Sequence, residues 1–264
     1  MIRTRPRDRK ADLLLPVIGA ALAFATACGG SKETPTGPSL PPLPLAAESA
    51  DFRFYYSPGD SVQVDRQQAY HAWAVQRLGV VIPGKMNYRK YTSRDDMGAR
   101  TGNYNTNGYA EPELFTIHTL FSWDNHETVH IYTAFIGRPS EFFNEGIAVA
   151  FQVNPLAGDF EPRFDGELLR DSARRYRQAG QLVLPLSAIV TSSGFRAISD
   201  STLSYREAGS FLAFLITRFG LYPVLVFFRA SSLDDSLALI EQRFTQAFGV
   251  TLETAEAEWL ASIG

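Results

Sequence analysis

The stretch His126-Glu127-Thr128-Val129-His130 limits what this chain can be more than any other. On an α-helix, residues four apart share a face, so the imidazoles of His126 and His130 can close on one metal ion. The ion this pattern suits is zinc. Glu127 sits beside that face rather than on it, close enough to take a proton from a metal-activated water without entering the coordination sphere. The flanks read as a helix: Ser122 and Asp124 are cap candidates, and the run closes on Gly137. The motif also holds two of the chain's four histidines, and imidazoles on a mostly apolar helix need partners.

A catalytic zinc takes three protein ligands and keeps a fourth position for water. No histidine follows His130, so a carboxylate must complete the set. After the turn Gly137-Arg138-Pro139-Ser140, a second helix is expected over Glu141 to Phe151, with two glutamates four apart. Glu145 is the expected ligand. It lies a turn inside the helix among apolar neighbours, where an unpaired carboxylate is costly, whereas Glu141 in the first turn is accounted for by the helix dipole.

With Phe143-Asn144-Glu145-Gly146-Ile147-Ala148 following the first motif, and fourteen residues between His130 and Glu145, the chain resembles the gluzincin branch of the zincin metallopeptidases. The spacing is similar to that of small bacterial peptidase-MA-like proteins and shorter than in the thermolysin or aminopeptidase N families. The stretch Tyr205-Arg206-Glu207-Ala208-Gly209 through Leu215 is similar to a further helix of those proteins. In the aminopeptidase N-like enzymes a tyrosine about sixty residues after the ligand glutamate stabilises the oxyanion; Tyr205 stands sixty after Glu145 (205 − 145), and the resemblance implies that role for it. Two positions depart from the families. Val149 stands where thermolysin-like enzymes place an aspartate that orients a zinc histidine, so that partner must come from elsewhere. Gly108-Tyr109-Ala110-Glu111-Pro112 is similar to the signature that holds a substrate's amino terminus in aminopeptidases, but Glu111 lies only fifteen residues before His126 (126 − 111), too close to support that specificity.

The amino terminus reads as an address. Arg3, Arg5, Arg7, Arg9 and Lys10 precede an apolar stretch from Leu13 to Ala27, too short for a comfortable transmembrane helix. Ala25-Thr26-Ala27-Cys28 resembles a bacterial lipobox, which implies lipidation at Cys28 and a membrane anchor in the bacterial cell envelope. Cys28 is the chain's single cysteine, so no intrachain disulfide can form. Residues 28–50, rich in Ser, Thr, Pro and Gly, read as a flexible tether.

The remainder, 51–264, reads as one α+β metallopeptidase-type domain: a small mixed sheet with a packed helix over 51–120, then a mainly helical region over 121–264. Strands are expected at Phe52 to Tyr56, Lys85 to Tyr91 and Phe115 to Leu120, with a helix from Val64 to Leu78. Asp95 to Glu113 reads as a polar loop bordering a cleft. By the resemblance, 114–120 is the sheet edge that pairs with an extended peptide, and His118 is an ordinary strand side chain. Later helices are expected at Leu168 to Ala179, Ser204 to Phe219, Tyr222 to Ala230, Asp235 to Phe248 and Leu252 to Ile263. Arg170, Arg174 and Arg177 read as a solvated face, and Arg206 and Glu207 as partners of each other or of water. A net charge of −3 with scattered cations offers nothing to nucleic acid. Two functions are therefore expected in order: a lipid-anchored zinc peptidase acting on peptides or proteins, with Glu127 as base and Tyr205 as oxyanion donor, or a non-cleaving envelope binding protein on the same scaffold.

Overall fold

In the computed structural model, which describes residues 40–264, strands β1 (Leu45–Glu48) and β2 (Phe52–Tyr55) open the domain. In β2, Phe52 and Phe54 are fully buried and alternate with the exposed Arg53, the period of two that a half-buried strand imposes. Helix α1 (Val64–Leu78) buries Tyr70, Ala74 and Leu78 on the same core. Strand β3 (Met86–Lys90), helix α2 (Arg94–Thr101), and strands β4 (Gly108–Glu111) and β5 (Thr116–Thr119) follow. The sheet order is β1-β2-β3-β5-β4. β3 runs parallel to both β2 and β5, while β1 and β4 are antiparallel to their neighbours.

Three expectations need correction here. The tether ends earlier than residue 50: Leu43 packs against Tyr91 and Met97, and Ala47 and Glu48 pair with Phe54 and Arg53. Cys28, the leader and most of the tether lie outside the described residues. The stretch from Asp95 to Glu113 is not a loop throughout. Ser93 accepts a hydrogen bond from the Asp96 amide and starts α2, Gly102 ends it in a left-handed conformation, and β4 follows. Since β4 pairs outside β5, the sheet's edge is β4, and 116–119 is an interior strand buried along its length.

The metal-motif helix is short. Helix α3 spans His126–Thr133, and Phe121 to Asn125 lie outside it. Ser122 does not cap it; the Asp124 carboxylate accepts from the Glu127 amide at 3.0 Å and takes that place. Gly137 lies beyond the helix end and serves close approach: a Cβ there would stand 2.0 Å from the Phe228 carbonyl oxygen. Helix α4 (Glu141–Ala150) follows, then the hairpin β6 (Arg163–Phe164) and β7 (Glu167–Leu168), and helices α5 (Leu169–Gln178), α6 (Ser192–Arg196), α7 (Ser201–Phe219), α8 (Leu221–Ala230), α9 (Leu237–Phe248) and α10 (Leu252–Ser262). The fold is α+β, a five-stranded mixed sheet followed by a helical region. Among the described residues no single helix is long and apolar enough to cross a membrane.

Helices α4 and α7 form the most extensive helix pair in the fold. They approach at glycines from both sides: a Cβ on Gly146 would lie 2.8 Å from the Ala208 carbonyl oxygen, and one on Gly209 would lie 2.3 Å from Val149 Cγ1. The arginines of α5 are not merely a solvated face. Arg174 donates to the Ile263 carbonyl at 3.0 Å and Arg177 to that of Leu260, tying α5 to the end of α10. Nor do Arg206 and Glu207 pair with each other. Arg206 reaches Glu167 and Asp165, while buried Glu207 accepts from the Val183 amide.

Gly146→Ala is expected to destabilise the fold by about 1–3 kcal/mol, because the neighbour it meets is backbone and cannot yield cheaply; an unchanged melting temperature would contradict the close α4–α7 contact. Burial, outweighing the Val183 hydrogen bond and reinforced by Glu256, pushes the Glu207 carboxyl up to about 8. The folded chain then holds a proton that the unfolded chain releases near 4.5, so this group erodes stability as pH rises from about 4.5 to 8. Glu207→Gln keeps the acceptor for Val183 and is expected to be more stable than the parent by more than about 1 kcal/mol at pH 8.5, with the difference vanishing near pH 4. Parallel denaturant curves at the two pH values check this.

Candidate metal centre

Helices α3 and α4 bring together the three residues expected to hold a metal. His126 Nε2 lies 3.1 Å from Glu145 Oε2, His130 Nε2 lies 3.3 Å from the same oxygen, and the two imidazole nitrogens are 3.2 Å apart. Those three distances have a simple meaning. Three ligands bonded at about 2.0–2.1 Å to a tetrahedral ion are separated by edges of roughly 3.3–3.4 Å. The nitrogens and the oxygen thus outline one face of such a tetrahedron. Two imidazole nitrogens turned towards each other and towards one carboxylate oxygen also cannot all be satisfied by protons alone, whereas a cation satisfies all three. His126, His130 and Glu145 are the group among the described residues able to hold a metal ion.

Charge at the centre follows from burial and proximity. Glu145 is 7 % exposed. Burial favours its neutral form, but the charge of His130 and hydrogen bonds from both imidazoles outweigh it and hold the carboxyl well below the usual range. Burial likewise opposes the His130 cation, yet Glu145 prevails and raises that imidazole to about 9 in the metal-free centre. Glu127 is lifted to about 7 by burial against the lowering charges of His126 and His130. A carboxyl poised there exchanges protons readily near neutral pH.

The elements around the triad place the other expected residues. Glu127 lies against the sheet edge: a Cβ on Gly108, the first residue of β4, would stand 3.0 Å from Glu127 Cγ. Asp124, which holds the Glu127 amide, is itself held by the Thr119 hydroxyl at 2.7 Å. Tyr205, on α7, stacks on His126 with ring centroids 5.8 Å apart and also meets Phe164 and Phe195. His118 is remote from the triad, on the opposite face of the sheet, hydrogen-bonded to Tyr91 and Glu111. Glu111 is therefore engaged with His118, away from the cleft.

Several contributors had no signature in the sequence. Gln152, just past the end of α4, lies with its amide 3.2 Å from His126 Nδ1. When Nε2 binds a metal, the neutral imidazole carries its proton on Nδ1, and Gln152 meets it with Oε1 once the amide is turned over. The partner role that Val149 cannot fill is filled here: Val149 is fully buried against Gly209 of α7, so an aspartate at that position would face the helix interface and not a ligand. Glu141 does more than its dipole role; its carboxylate is gripped by Arg196 of α6. Two cavities, of about 780 and 530 Å³, share His126, Glu127, Gly108 and Tyr205 in their walls. They meet at His126 and Glu127 as two arms of a cleft, and His130 and Glu145 line the smaller arm.

No protein-family model matches the chain, and no curated protein matches it. The centre thus stands on its own geometry.

Loss of the amide in Gln152→Ala is expected to weaken metal binding by roughly 10- to 100-fold, with Gln152→Glu restoring or exceeding the parent affinity. Competition titrations against a chelator read this directly, and parent-like affinity for Gln152→Ala would remove Gln152 from the site.

Proposed function

We propose that this chain is a zinc-dependent peptidase of the gluzincin type that hydrolyses peptide bonds in exported peptides or proteins. The observation that carries the reading is the tetrahedral face formed by His126, His130 and Glu145, with the non-ligand carboxylate of Glu127 beside it. A protein that only stored or bound a metal has no physical need for Glu127. Two nitrogens and one oxygen at tetrahedral spacing suit zinc, which accepts imidazole and carboxylate alike.

His126, His130 and Glu145 would hold the zinc, which would supply Lewis acidity towards a water and the scissile carbonyl. Glu127, beside the triad and outside it, is placed to take the proton of the attacking water and pass it to the leaving amine. Tyr205 borders the cleft beside His126 and offers its hydroxyl to the developing oxyanion. Gly108 starts the exposed edge of the sheet next to Glu127, so an extended peptide adding to β4 passes its backbone across the base. The proposed setting is the bacterial cell envelope, with the domain tethered to a membrane through lipidated Cys28, as the leader pattern suggests.

Glu127→Gln is expected to bind zinc like the parent and to lose about 10²- to 10⁴-fold in cleavage rate, whereas Glu145→Ala loses the metal itself. Elemental analysis of both variants, with cleavage of a broad peptide library followed by mass spectrometry, separates the two effects. A parent chain that takes up no zinc at neutral pH, or takes it up and cleaves nothing that Glu127→Gln spares, would overturn the reading.

A further inference from the structure

One arm of the cleft carries cations that pair with no carboxylate among the described residues. Arg66, in the first turn of α1, lines the cavity of about 780 Å³ together with His126 and Glu127. Its guanidinium lies over Trp123, 3.4 Å from the ring centroid, and Nη1 donates to Gln63 Oε1 at 3.2 Å. Its Nε is buried with no hydrogen-bond partner. No carboxylate among the described residues pairs with it. Of the acids that line the same cavity, Asp124 is held by Thr119 and the Glu127 amide, Asp159 by Arg163 and Asp165 by Arg206, and neither Glu127 nor Glu161 forms an ion pair with Arg66 or Arg94.

Arg94, the first residue of α2, lines the same cavity, and its described partner is the neutral side chain of Asn107 at 2.8 Å. Helix stability does not account for either position. The start of a helix carries partial positive charge, which disfavours a cation in the first turn. Two arginines are thus kept where their own helices oppose them, in a chain of net charge −3 with acids to spare, on the wall of the cleft that leads to the metal centre. A planar guanidinium held flat on an indole, with no carboxylate partner among the described residues, is suited to receive one from outside through its terminal N–H groups.

We infer that this arm is a subsite for a carboxylate of the substrate, with Arg66 as its principal ligand and Arg94 as the second cation. The carboxylate is either an acidic side chain at a fixed distance from the scissile bond or the substrate's own carboxyl terminus. The inference deepens the peptidase reading and rests on it for what occupies the cleft.

The experiment uses the full chain carrying Glu127→Gln, titrated with and without added zinc, so that binding is read whether or not metal is held and without cleavage. The probes are fluorophore-labelled alanine-rich pentapeptide amides with a single Glu placed at each position in turn, their Gln counterparts, and a neutral peptide with a free carboxyl terminus. Fluorescence anisotropy is expected to show one Glu position, or the free terminus, binding about tenfold or more tighter than its neutral counterpart. The position identifies the source of the carboxylate. Arg66→Gln abolishes that preference, Arg66→Lys keeps part of it, and raising the salt weakens it in the parent.

Equal binding of acidic and neutral peptides, or of none of them, overturns the subsite. So does a preference that survives both Arg66→Gln and Arg94→Gln. Comparing Glu with Gln peptides on the chain with its arginines intact needs no arginine variant to fold. Cleavage by the zinc-loaded parent, measured separately on the same peptides, fails or succeeds independently and reports on the peptidase reading alone.

Discussion

A carboxylate and two imidazoles buried against one another are the constraint on which the rest of this structure depends. Each group alone would be costly in an apolar setting. Together they offset one another, since Glu145 keeps its charge in spite of burial because His130 and His126 face it. For that to happen, two helices on either side of a tight turn must converge to bond-scale precision. Asp124 fixes the first turn of α3 through the Glu127 amide, Asn125 holds the Val153 carbonyl at 3.2 Å, and the turn between α3 and α4 is pressed against α8 at Gly137. The sheet contributes a fixed floor: Thr119 of β5 grips Asp124, and through it the helix that carries both histidines.

The second requirement is that α7 lie close to α4, and glycine meets it. With Gly146 facing Ala208 and Gly209 facing Val149, the backbones approach at a distance no larger residue allows, and Tyr205 arrives beside His126. The same contact uses up position 149 for packing. The histidine's outer partner then has to come from beyond the helix end, where Gln152 supplies it. A neutral amide in place of a carboxylate leaves the imidazole less electron-rich, so a metal held there would be the more electrophilic for it.

What could be read from the residues and what could not divide along physical lines. The triad was legible because helical spacing puts His126 and His130 on one face and a carboxylate among apolar neighbours, Glu145, needs partners; the three do meet. Helix α1 was legible from Val64 to Leu78 for a similar reason, its end marked by Gly79. Strand β1 was not, since four residues following a proline-rich run are too few to show a period, and what orders them is pairing with β2. The edge strand β4 was hidden by its glycine and polar neighbours, and only the observed pairing shows that β5 is interior. Gln152 and Arg196 act through tertiary contacts, Gln152 with His126 and Arg196 with Glu141 55 positions away, and no local pattern announces such pairs. Tyr205 was found through resemblance; composition and spacing alone would have left it as one aromatic among many.

The electrostatic arrangement of the cleft shows why burial of Glu127 matters. Arg66, Arg94 and the starts of two helices favour negative charge in this region, against the acids Asp124, Asp159, Glu161 and Asp165 on the same wall, and His126 and His130 face Glu127 directly. Burial acts in the opposite sense. Half-buried behind Gly108, Glu127 is raised to about 7 even though His126 and His130 pull it down. A carboxyl that faces cations can therefore still serve as a base, provided it is partly withdrawn from water. Gly108 fits both demands: having no side chain, it lets the sheet edge close over the carboxyl while leaving the edge itself open to a strand from outside.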